Sequence, residues 1–91
     1  MYLLAYDPRV SAEDLPRLDG AMRRRVRDAI EAKLAVAPER FGAPLRRGLK
    51  GFRKLRVGDW RVVYLIERNT VHVVVIGHRR DVYASAQGRA S

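Results

Sequence analysis

The sequence predicts an α+β domain in which a short strand and a two-helix hairpin pack on a small sheet drawn from the second half of the chain. Three observations predict it. Apolar residues recur at helical spacing between residues 19 and 37. From residue 52 onward β-branched and aromatic residues dominate. Two dipeptides, Gly58-Asp59 and Arg68-Asn69, split that half into three runs joined by tight turns. A chain of 91 residues has the size of one folding unit, so a single domain over 1–91 is expected.

Tyr2 to Tyr6 is an apolar run ended by Asp7-Pro8 and reads as a strand and turn. Ser11 is placed to cap a short first helix, with Asp14 three residues on as in a capping box. Pro16 limits that helix, and Leu15 and Leu18 are its expected buried contacts. Asp19 is the candidate N-cap of the second helix. Met22, Val26, Ala29, Ile30 and Leu34 form its apolar face, and Ala37-Pro38 stops it. From Pro38 to Gly51 the chain reads as a loop anchored by Phe41, Leu45 and Leu49. Strands are expected at Phe52 to Val57, Trp60 to Glu67 and Thr70 to Gly77, followed by a short helical turn over Val82 to Gln87. Gly58 at the first central position suits a type II′ hairpin.

The absence of cysteine excludes a disulfide scaffold, a thiolate metal site and a Cys nucleophile. The opening apolar run is too short for a signal peptide, and no later run approaches a membrane span, so a cytoplasmic protein without a membrane partner is expected. The net charge of +9 is not evenly spread. Residues 1–39 balance seven bases with seven acids, whereas residues 40–91 hold twelve bases and three acids. Solubility alone does not require such segregation. A field of one sign fits an anionic partner, most simply nucleic acid. Arg46, Lys50, Arg53 and Arg56, with Arg80 beyond them, are the expected phosphate contacts.

Strand alternation sharpens the placement. With Gly58-Asp59 as the loop, Val57 faces Trp60, Arg56 faces Arg61, Leu55 faces Val62 and Lys54 faces Val63. One sheet face then carries Leu55, Val57, Trp60, Val62, Tyr64 and Ile66 and packs under the helices. The other carries Lys54, Arg56 and Arg61. A second two-residue turn at Arg68-Asn69 adds Val71, Val73 and Val75 to the first face. It adds His72, Val74, Ile76 and His78 to the second, bringing His78 beside the basic cluster. Like charges opposite one another destabilise a sheet, so Arg56 facing Arg61 is a local cost that points to function.

Such a cluster suits metal-independent cleavage of an RNA phosphodiester. The reaction needs a base for the 2′-OH, cations for the charge on the phosphorane oxygens and an acid for the leaving 5′-oxygen. Histidine is the usual acid or base near neutrality. A lysine serves as base where neighbouring cations favour its neutral form, and Lys54 is expected beside Arg56 and Arg61. Arg61 suits phosphate clamping through its planar fork. Tyr83 can stack on an unpaired base, whereas Trp60 and His72 are better explained by packing. Asp59, Glu67 and Asp81 do not form a carboxylate cluster by spacing, and no metal or cofactor is expected.

The runs Phe41-Gly42-Ala43-Pro44-Leu45-Arg46, Leu49 to Tyr64 and Ile76-Gly77-His78-Arg79-Arg80-Asp81-Val82-Tyr83 resemble the RelE/ParE superfamily of type II toxin–antitoxin toxins. The resemblance implies two helices on a small, strongly twisted, mostly antiparallel sheet that includes the first strand. It implies a partner antitoxin in a heterotetramer or larger complex. For the RelE-like branch it implies cleavage of mRNA on the ribosome, leaving a 2′,3′-cyclic phosphate and a 5′-OH and so inhibiting translation. On this resemblance Lys54 matches the base, Arg61 the phosphate-stabilising Arg and Tyr83 the stacking Tyr. His78, Arg79 or Arg80 falls at the acid position, and Arg56 supports. The alternatives are a ParE-like inhibitor of DNA gyrase and a non-catalytic RNA-binding module.

Overall fold

The structure is a computed structural model and describes residues 1–45 and 49–90. Strand β1 (Leu3–Tyr6) leads into a helical segment with a widened π-type turn (Val10–Asp14) and a 3-10 turn (Leu15–Arg17). Helix α1 (Gly20–Ala29) follows and runs on through a second π-type turn (Ile30–Leu34). Then come α2 (Pro38–Phe41), β2 (Ala43–Pro44), β3 (Phe52–Val57), β4 (Trp60–Glu67), β5 (Thr70–His78) and α3 (Val82–Ala90). The five strands form one sheet in the order β1-β5-β4-β3-β2. Among the described residues only β1 and β5 run parallel, and every other neighbouring pair is antiparallel.

The helical hairpin forms for the expected reasons. The Asp19 carboxylate accepts from the Met22 amide at 2.8 Å and caps α1. Val26, Ile30 and Leu34 are buried with Val10 and Leu18 against Leu55, Val57, Val62, Tyr64, Val71, Val73 and Ile76. Ser11 does not cap the first segment; its hydroxyl donates back to the Pro8 carbonyl. Helical turns have already begun by then, so no orphan amide is left for Ser11. The stretch after Pro38 is more ordered than a loop. Pro38 starts α2, where its missing N–H costs nothing, and Ala43-Pro44 pairs with Arg53 and Lys54 of β3. Leu45 and Leu49 are buried as anchors, whereas Phe41 is 49% exposed beneath the Lys33 ammonium.

The β3–β4 register is the expected one, with Val57 opposite Trp60 and Arg56 opposite Arg61. Gly58 has φ +60°, as the first central residue of a II′ turn requires. The β4–β5 register begins as expected at Glu67 opposite Thr70 and then changes. Tyr64 lies opposite Val73, but Val63 lies opposite Val75. Val74 is therefore the extra residue of a β-bulge, and every later side chain of β5 changes face. Val75 joins Val63, Leu45, Leu49, Val82 and Ala86 in a second core under α3, while Ile76 joins the first. The expected second-face positions of Ile76 and His78, and the first-face position of Val75, are thereby corrected.

A buried ion pair occupies the bulge. Arg89 of α3 grips Asp14 through two hydrogen bonds of 2.7 Å, and both side chains are at least nine-tenths buried. Arg89 also donates to the carbonyl of Val74, and Asp14 accepts from the amide of Ile76. The Val74 carbonyl and the Ile76 amide, at and just past the bulge, are thus satisfied by this pair. The final helix is longer than the single turn expected, because Arg89 ties its far end to the sheet.

Candidate functional site

The second face ends in a cleft of about 370 Å³ lined by Lys54, Arg61, Arg79, Arg80, Val82 and Tyr83. Among the described residues, four cations and one aromatic ring surround it, and no carboxylate lines it. Lys54 lies on β3 and Arg61 on β4, adjacent through the hairpin. Arg79 and Arg80 follow β5, and Tyr83 sits in the first turn of α3. The Lys54 Nζ stands 5.6 Å from the centre of the Tyr83 ring, a cation–π approach that fixes both. Arg61 donates to the carbonyls of Gly58 and Trp60, each at 2.9 Å, and is braced against its own turn. Arg79 is held by its amide, which donates to the Asp59 carbonyl at 2.9 Å. Its guanidinium lies 3.7 Å from the Asp59 carboxylate.

Burial lowers the Arg61 pKa from its usual value; Arg56 and Arg79 push the same way, and Asp59 opposes them. A guanidinium stays protonated at neutral pH even so. The cations therefore repel one another in the free protein, and an anion entering the cleft relieves that repulsion. Bidentate Arg–phosphate contact is the arrangement's most direct use.

Other residues read from the sequence lie elsewhere. Arg56 is exposed on the same face and acts on Arg61 through its charge. Arg53 points to the opposite face, where it donates to the carbonyls of Glu39 and Gly42 and holds the end of α2. Its expected role at phosphate is replaced by this backbone contact. Lys50 is exposed on the approach to β3. Arg46 lies outside the described residues. His78 is not among the residues lining the cleft; the bulge turns it to the first face opposite Trp60, with the rings edge to face at 5.6 Å. Trp60 packs against the first core as expected. His72 lies 3.3 Å from Glu67, by the opposite β4–β5 turn.

Two supports were not read from the sequence. Gly77 lies on the cleft face beneath α3, where a Cβ would come within 3.3 Å of Val82. The Asp14–Arg89 pair holds the same helix from its other end. A pair 75 residues apart leaves no local signal, and only the nine-residue β5 against the eight-residue β4 hints at the bulge.

The sequence pattern of the ParE toxin family of type II toxin–antitoxin systems matches residues 5–83. The chain belongs to the RelE/ParE superfamily of type II toxins. Among its relatives, Toxin RelE of Mycobacterium tuberculosis is 35% identical over 75 residues, covering 80% of this chain and 77% of the relative. Toxin RelG of the same organism is 36% identical over 72 residues, covering 77% and 83%. The fold also resembles the crystal structure of the RelBE2 toxin–antitoxin complex from M. tuberculosis. That likeness has a TM-score of 0.78 at 30% identity and covers 86% of this toxin and 98% of that chain. The expected α+β architecture, helices on a mostly antiparallel sheet that includes the first strand, is the one found.

Proposed function

We propose that this toxin is an endoribonuclease that cuts mRNA on the ribosome and so stops translation. The carrying observation is the cleft in which Lys54, Arg61, Arg79, Arg80 and Tyr83 meet, with no carboxylate among the described residues that line it. Tyr83 stacks on a splayed base and sets the scissile phosphate against Arg61. Lys54 takes the 2′-OH proton. The O2′–P bond forms as the P–O5′ bond breaks. Arg79 or Arg80 supplies the proton that the leaving O5′ takes up. Arg61, with Arg56 behind it, stabilises the charge on the phosphorane oxygens. The products are a 2′,3′-cyclic phosphate and a 5′-OH, and no metal takes part. The excess positive charge of the second half favours approach to ribosomal RNA. The proposed target is cytoplasmic, and no helix among the described residues is long and apolar enough to cross a membrane. A cognate antitoxin holds the toxin inactive; the RelBE2 relative is a toxin–antitoxin complex. An acidic segment would complement the cationic face.

Expression in a bacterial host tests the reading. Growth arrest with new mRNA ends mapped by primer extension is expected. Intact mRNA under continuing translation, with the toxin accumulating, would overturn it. The match to the ParE pattern favours one second reading, inhibition of DNA gyrase. That reading predicts trapped gyrase–DNA complexes and indifference to substitution of Lys54.

A further inference from the structure

Four contacts converge on the turn that carries Arg79 and Arg80 into the cleft. The Asp81 amide donates to the His78 carbonyl at 2.9 Å, closing a turn over residues 78–81. The Arg80 amide donates to His78 Nδ1 at 3.3 Å. The Arg79 amide donates to the Asp59 carbonyl, extending the strand pairing beyond β5. The His78 ring is fixed edge-on against Trp60. A side-chain acceptor that bonds the amide two residues on is the geometry of an Asx turn, ordinarily supplied by Asn or Asp. Here an imidazole supplies it. An acceptor Nδ1 carries no proton, so the neutral ring has its proton on Nε2. The bulge at Val74 makes this possible, because it turns His78 away from the cleft and over Trp60.

We propose that His78 is a positioning residue: its Nδ1 orders the 78–81 turn and so sets the Arg79 and Arg80 guanidinium groups in the cleft, while the ring takes no part in proton transfer. The kinetic readout of this inference rests on the cleavage reading; the structural readout does not. Within the cleft, acid function then falls to the arginines and not to the one histidine nearby.

Two variants separate positioning from catalysis. His78→Asn keeps an acceptor for the Arg80 amide and has no group that exchanges protons near neutrality. His78→Phe keeps the aromatic contact with Trp60 and loses the acceptor. In single-turnover cleavage of ribosome-bound mRNA, His78→Asn is expected to stay within about threefold of wild type and His78→Phe to fall about tenfold, well short of the 10²–10⁴ typical of a lost acid or base. Both should keep the wild-type shape of the pH–rate profile and similar melting temperatures. A loss of about a hundredfold or more in both variants, with one limb of the profile gone, would overturn the proposal in favour of a catalytic histidine. Full activity of His78→Phe would overturn it as well. If the wild-type toxin cuts no RNA, the cleavage reading fails and nitrogen NMR of the free toxin decides the inference. The expected result is the Nε2–H tautomer of His78, with the Arg80 amide resonance moved in His78→Phe and not in His78→Asn. An Nδ1–H tautomer would overturn it.

Discussion

On one face of the sheet Leu55, Val57, Val62, Tyr64, Val71 and Val73 are sealed under the helical hairpin. On the other face the same strands bury Val63 and Val75 under α3 and leave Lys54, Arg56 and Arg61 at an open end. A small fold thereby accommodates a crowd of like charges. The sealed face supplies apolar burial at about 25 cal/mol per Å², which offsets cross-strand repulsion of a few tenths of a kcal/mol per pair on the open one. The bulge at Val74 is the boundary, because it decides which β5 residues serve which face.

The largest way to break this division is at the buried pair that satisfies the bulge. Asp14→Ala removes both 2.7 Å bonds from the buried Arg89 and leaves it the exposed Glu13 carboxylate at 3.7 Å, and urea unfolding should show a loss of about 3–5 kcal/mol. Next is the open face itself. Arg61→Ala should lower the cleavage rate by about 10²–10³, with Lys54→Ala comparable, while the melting temperature of each variant stays near wild type. Gly77→Ala tests the contact between β5 and α3. Its Cβ meets Val82, and calorimetry should show about 1 kcal/mol of destabilisation, with a further loss of cleavage as Tyr83 shifts. Arg68 has φ +59° at a turn position that favours glycine, so Arg68→Gly should stabilise by up to about 1 kcal/mol without touching either face. The smallest effect concerns Asp7. Hydrogen bonds from Arg9 hold its carboxyl down from 3.8 to about 2, so its stabilisation is full above pH 4 and lost as pH falls through about 2. Asp7→Asn should flatten the acid limb of an unfolding-versus-pH curve slightly, since the pair is partly exposed.

The first face was largely legible from the sequence. Helical spacing identified Met22, Val26, Ile30 and Leu34, and alternation identified Leu55, Val57 and Val62, because each lies in a run where apolar and polar residues separate cleanly. Lys54 and Arg61 were legible for a related reason: a glycine turn fixes their register within a few residues. Beyond Val73 the alternation loses its signal. Val73-Val74-Val75-Ile76 is apolar throughout, so a one-residue slip changes no hydrophobicity and only tertiary contacts settle it. The face of His78 turns on that slip alone. Charge alone groups Arg53 with its basic neighbours and does not reveal that its guanidinium turns inward to two carbonyls. α2 was hidden by its brevity, as four residues starting at a proline are read as a turn.

The most direct test of the division between a sealed face and a reactive one is the chemistry of the RNA ends. Purified toxin is added to ribosomes stalled on a defined mRNA, and the products are read by mass spectrometry. Paired 2′,3′-cyclic phosphate and 5′-OH ends are expected with wild-type toxin and none with the Lys54→Ala, Arg61→Ala double variant, which should unfold at nearly the wild-type temperature. Intact mRNA with the wild type, or equal cutting by the double variant, would contradict it.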